Sequence, residues 1–144
     1  MKLNAYLHFG GNAEEALNFY KNVFGGNILA IARYGDSPMP VDEDWKNKIM
    51  HARLQFDDNL FFISDGPKGY TSAHGNISLS LETPNIQRGE EIFNKLSEGG
   101  NVIMPMMDQF WGARFGMLTD KYGIMWMVNC EQKKAEDKTL DITV

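Results

Sequence analysis

The pattern of elements in this chain runs through once and then restarts. Residues 3–9 alternate, with Leu3, Ala5, Leu7 and Phe9 on one parity and Asn4, Tyr6 and His8 on the other, which predicts a strand with one apolar face. Gly10-Gly11 breaks it, and Asn12 stands where a helix cap belongs, with Glu14 and Glu15 in the first turn. The helix runs to Phe24, with Ala16, Leu17, Phe19, Tyr20 and Val23 on its inward stripe, and Gly25-Gly26 stops it. Strands are expected at 27–34, 48–56 and 59–64, with a long polar loop at 35–44 that covers a pocket or moves. The order then begins again. Strand 76–82 sets Ile77, Leu79 and Leu81 against Asn76, Ser78 and Ser80. Helix 87–98 turns Ile92, Phe93 and Leu96 inward before Gly99-Gly100, and a strand at 102–110 leads into a hairpin. A period of roughly 70 residues is too long for a short-repeat solenoid. Two βαβββ modules, 1–66 and 67–131, are the economical reading, followed by a charged tail at 132–144 in which 139–144 offers a further edge strand.

The hairpin is the most apolar stretch. Asp120-Lys121-Tyr122-Gly123 has the composition of a tight turn, with a carboxylate to accept backbone N–H groups and a glycine for positive φ. It joins strands near 112–119 and 124–129, and the second, Ile-Met-Trp-Met-Val, is apolar on both parities and is expected to be buried on both. Asp65 and Asp120 read as turn-formers. Arg114 lies among Phe110, Trp111 and Phe115, so it is either stacked on an aromatic, paired with Asp108 or Asp120, or facing an anionic ligand.

In each module the apolar parity of the first strand must face its helix, the only apolar cover nearby. The other parity then faces across the curved sheet, and two such sheets enclose a cleft. This is an α+β fold of duplicated βαβββ modules, with curved mixed sheets around a concave site suited to a small molecule. The residues expected to line it are Tyr6, His8, His51, Arg53, Ser78, Ser80, Phe110, Trp111, Arg114 and Trp126. Trp126 also reads as core. His51 and His8 are balanced between hydrogen-bonding a ligand and a structural role, since imidazole titrates near neutrality. His74, beside Gly75 in the linker, is expected in solvent.

Composition excludes several classes. A net charge of −5 on 144 residues, with no basic stripe, argues against nucleic acid. No apolar run approaches the ~20 residues of a membrane span. The lone Cys130 rules out an internal disulfide framework and fits the cytoplasm. No G-x-S-x-G, phosphate loop or dinucleotide fingerprint is present.

Three stretches in order, AYLHFGGNAEEALNFYKNVFGG, HARLQFDDNLFFISDG and WGARFGMLTDKYGIMWMVNC, resemble the vicinal oxygen chelate superfamily of glyoxalase I, bleomycin-resistance proteins and extradiol dioxygenases. Within it the chain is similar to the PhnB-like branch, over about residues 3–130. The resemblance implies a glyoxalase-like fold and a homodimer. In the superfamily's enzymes it also implies a divalent metal held by His, Glu or Gln, which polarises substrate oxygens. Carried over, those ligand positions fall at Ala5 or Tyr6, Phe62 or Ser64, Asn76 or Ser78, and Trp126 or Met127. Only His8 and His51 are candidate ligands, with no carboxylate on their faces, so no metal ligand is assigned and no cofactor is expected. A methyltransferase name is sometimes attached to this branch, yet no glycine-rich turn links a strand to a helix in a parallel α/β pattern here. The expectation is therefore a PhnB-like protein of unassigned activity that binds a small molecule. The alternative is a metal-dependent lyase, isomerase or dioxygenase acting on a vicinal-oxygen substrate, so enzyme activity is left open.

Overall fold

A computed structural model describes residues 1–71 and 76–132. The elements are β1 (Ala5–Phe9), α1 (Ala13–Phe24), β2 (Asn27–Arg33), β3 (Ile49–Phe56), β4 (Asn59–Asp65), β5 (Leu79–Glu82), α2 (Ile86–Ser97), β6 (Asn101–Asp108), β7 (Ala113–Thr119) and β8 (Met125–Glu131). They fall into two compact units, Met1–Ala73 and His74–Val144. Each unit is a four-stranded mixed sheet with one helix, ordered β1-β4-β3-β2 in the first and β5-β8-β7-β6 in the second. The duplicated βαβββ fold is thus present. His74 and the 139–144 edge strand lie outside the described residues.

In the first unit β1 runs parallel to β4, pairing Ala5, Leu7 and Phe9 with Phe61, Ile63 and Asp65. Residues paired in this way share a face, so Leu7, Phe9, Phe61 and Ile63 are buried together under α1 with Leu17, Tyr20 and Phe24. Phe24 stacks on Phe56 with ring centroids 4.1 Å apart, and Phe61 meets Phe56 edge-on at 5.1 Å. The helix start differs from the expectation. Asn12 makes no side-chain cap. Asp65, 1 % exposed at the end of β4, accepts from the Gly11 and Ala13 N–H groups at 2.8 and 2.9 Å and from the Ile49 N–H at 2.9 Å. A residue 52 positions away therefore caps α1, because the parallel β1–β4 pairing ends beside the helix N-terminus.

The second unit repeats the plan. Leu79 and Leu81 pair with Trp126 and Val128 and turn toward α2. Gly89 of α2 sits so close to the sheet that a β-carbon there would collide with the Cys130 sulfur. Burial pushes that thiol up, with the nearby Glu90 carboxylate adding to it. Asn85 caps this helix itself, accepting from Arg88 N–H at 3.0 Å. The hairpin turn forms as its composition predicts: Asp120 accepts from the Tyr122 and Ile124 N–H groups at 2.9 and 3.0 Å. β8 is not buried on both faces. Trp126, Val128 and Cys130 are buried on the helix side, whereas Met125, Met127 and Asn129 are only half-buried on the other. Among the described residues no helix is long and apolar enough to cross a membrane.

Candidate functional site

The face of the first sheet turned away from α1 carries two rows of side chains. Register aligns Ala30, Arg53, Phe62 and Tyr6 across β2, β3, β4 and β1. In the neighbouring row, Ala32 pairs with His51, and Ser64 pairs with His8. The Tyr6 ring stacks on His8 at 4.5 Å with 7° between planes, and its hydroxyl shares a 3.1 Å hydrogen bond with His51 Nδ1. His8 Nδ1 lies 3.1 Å from the Ser64 hydroxyl. The Phe62 ring is 5.5 Å from both Tyr6 and His51, and Tyr70 is 6.3 Å from His8. Gly66 holds Tyr70 there, since a β-carbon at 66 would run into the Tyr70 ring.

Beside this face is a pocket of about 510 Å³, lined chiefly by Met39, Val41, Trp45, Met50 and Pro67, with Tyr34 and Lys68 at its polar parts. A register shift between Ala32 and Arg33 makes Met50 an extra residue in β3, and this bulge re-aims it into the pocket. The 35–44 loop does cover a pocket. It is pinned by Tyr34, which donates to the Asp65 carbonyl at 2.7 Å, and by the Trp45 indole N–H, which donates to the Gly66 carbonyl at 3.1 Å. Lys68 pairs with Asp44 at 2.8 Å and with Asp42 at 3.5 Å. Burial, then the Asp65 carboxylate, then Tyr6 hold the Tyr34 phenol above its ordinary range.

Of the residues expected at the site, Tyr6, His8, His51 and Arg53 share this one face. The others are dispersed over the second unit. Ser80 lies on the sheet face opposite α2, and Ser78 precedes β5. Phe110 and Trp111 stand in the turn after β6, 97 % and 51 % exposed, and belong to neither strand. Arg114 points to the helix side: its Nε donates to Glu90 of α2 at 2.6 Å and its Nη1 to Asp108 at 3.2 Å. These carboxylates, Glu90 foremost, raise the guanidinium's pKa and supply its counter-charge, while Asp120 bonds elsewhere. Trp126 is core, 2 % exposed, its indole N–H on Asp120. Sequence reasoning passed over Tyr34 and Met50 and reached Phe62 and Ser64 only as alternatives for one ligand position carried over from the resemblance; their places follow from register and the bulge. It also missed Glu82, which ends β5 on the Ser80 face.

The divalent metal that the superfamily resemblance implies does not suit these donors. None of the strand residues on the face of His8 and His51 is a carboxylate, and the described residues hold no group of three His, Cys, Asp or Glu able to grip an ion.

Comparison with known proteins places this geometry. A family model described as 3-demethylubiquinone-9 3-methyltransferase matches residues 1–129. The crystal structure of PA1353 from Pseudomonas aeruginosa is 43 % identical with a TM-score of 0.83, over 92 % of this chain and 99 % of that one. A PhnB protein from Bacillus cereus is 30 % identical with a TM-score of 0.73, over 89 % of this chain and 98 % of that one. At 9 % identity, the fosfomycin resistance protein FosX from Listeria monocytogenes shares the fold alone, with a TM-score of 0.62 over 97 % of both chains. With the family model spanning nearly all of the described residues, and with the duplicated βαβββ fold shared with FosX, this chain belongs to the PhnB-like family, whose model carries the 3-demethylubiquinone-9 3-methyltransferase description.

Proposed function

We propose that this PhnB-like protein binds a small molecule in the first unit, with the molecule's apolar body in the pocket under the 35–44 loop and its polar end toward Tyr6 and His51. The observation that carries this reading is the pocket itself. Its volume of about 510 Å³ falls in the range of small-molecule sites, and apolar side chains surround a few polar groups. Methionines at 39 and 50 adapt their shape to a ligand at small cost. The metal-dependent lyase, isomerase or dioxygenase reading draws no support from the donor set. The neutral fluorophore N-phenyl-1-naphthylamine tests the pocket. Its emission should rise saturably with the wild-type chain, and Val41→Trp and Met50→Trp, which fill the space, should abolish the rise. An equal rise in both filled variants refutes the pocket.

The working form proposed is a cytoplasmic homodimer. Supporting it, Met107, Phe110 and Trp111 present exposed apolar surface at one end of β6 and its turn. Light scattering after size exclusion should give twice the 16.3 kDa chain mass, and a single-chain mass refutes the dimer.

A further inference from the structure

Arg53 stands out among the arginines of the first unit. Arg33 is held by Glu14 in a two-pronged pair at 2.9 Å and also donates to the Asn47 carbonyl. In the second unit Arg114 is held by Glu90 and Asp108. Among the described residues the Arg53 side chain has no hydrogen bond, ion pair or ring contact, although the residue is half-buried in the middle of β3. A guanidinium keeps its charge at every physiological pH and presents a planar fork of N–H donors. Partly withdrawn from water without an acceptor, such a charge is costly.

Its neighbours do not supply the acceptor. The strand residues sharing its face include Tyr6, His8, Phe62, Ser64, His51 and Gln55, and none of the strand residues there is a carboxylate. Nε2 of His8 and of His51 has no partner among the described residues, each ring being bonded through Nδ1. Around them Tyr6, His8 and Phe62 form an aromatic floor with centroid spacings of 4.5 and 5.5 Å. From Met50 at the pocket to Arg53 is three strand residues, about 10 Å at the rise of an extended chain.

Building on the pocket proposed under the 35–44 loop, which leaves the ligand's charge open, we infer that the first unit takes a molecule bearing an oxyanion. That group, a carboxylate or a phosphate, pairs with the Arg53 guanidinium beside the His51 imidazole while the apolar body lies toward Met50. The fork of Arg53 matches two oxygens of such a group, and the stacked rings accommodate a planar body next to it.

The test is a titration of the full chain with benzoate, inorganic phosphate and neutral benzamide at low ionic strength, followed by amide and imidazole NMR shifts. Benzoate or phosphate should shift His51, Arg53 and Phe62 saturably, and benzamide should not. Response to benzoate alone identifies a carboxylate ligand, and response to phosphate alone a phosphate ester. Arg53→Gln, with its fold confirmed by circular dichroism, should weaken anion binding about tenfold or more, the worth of one charge-assisted hydrogen bond. Arg53→Lys should lose less. Equal binding of benzamide, unchanged anion binding in Arg53→Gln, or no response to either anion overturns the inference. If N-phenyl-1-naphthylamine still lights up the wild type and not the filled variants, only the oxyanion is lost. If the fluorophore also fails, the pocket reading falls with it.

Discussion

The indole N–H of Trp126 donates to the Asp120 carboxylate at 2.9 Å, in the buried core of the second unit. One oxygen of that carboxylate shapes the hairpin turn and the other anchors the strand leaving it. Trp126→Ala removes a large core side chain and should cost about 3–5 kcal/mol. Trp126→Phe keeps most of the volume but strands a buried carboxylate oxygen, for about 1–3 kcal/mol. Urea unfolding of both variants checks the order, and a Trp126→Phe chain as stable as wild type would mean the hydrogen bond contributes nothing.

Asp65 accepts three backbone N–H groups from two elements distant in sequence. Asp65→Ala leaves those donors unpaired in a buried place and should destabilise by about 3 kcal/mol or more, whereas Asn12→Ala should change stability by less than about 0.5 kcal/mol, since Asn12 does not cap. Thermal melts of the two variants decide the matter.

Gly66→Ala should move Tyr70 away from His8 with little harm to the fold beyond the ~1–3 kcal/mol typical of overpacking. Ring-current shifts on the His8 protons report the displacement. Unchanged His8 shifts would show that Tyr70 is placed by something other than Gly66.

The Arg33 hydrogen bond, followed in size by the opposing cost of burial, holds the Glu14 carboxyl below the usual glutamate range. A depressed acid stabilises the fold above its unfolded pKa, and that contribution is lost as pH falls through the lowered folded value. Glu14 is about half exposed, so solvent screening limits the effect to roughly 0.5 kcal/mol or less. Arg33→Gln should therefore lower stability slightly at neutral pH, and the difference from wild type should vanish in acid and in high salt. A difference that persists in acid would place its origin in the Asn47 contact instead.

Strand faces were legible from residue order because side chains alternate with a period of two, and any buried sheet must send one parity to its helix. Tyr6 and His8 were recognisable as a pair on the open side for that reason, as were Leu7 and Phe9 beneath the helix. The repeated order likewise announced the two βαβββ units, and the glycine after Phe24 announced the end of α1. Which strands lie side by side is a different matter. The parallel β1–β4 pairing sets Tyr6 beside Phe62 and His8 beside Ser64, and it carries Asp65 to the start of α1, none of which alternation encodes. Arg114 fell on the helix side because register pairs it with Cys130, where Glu90 is within reach. Local composition determines which face a side chain takes. Only the register and bulges of the folded sheet decide what it meets there, because those depend on long-range hydrogen bonding that closes after the segments have come together.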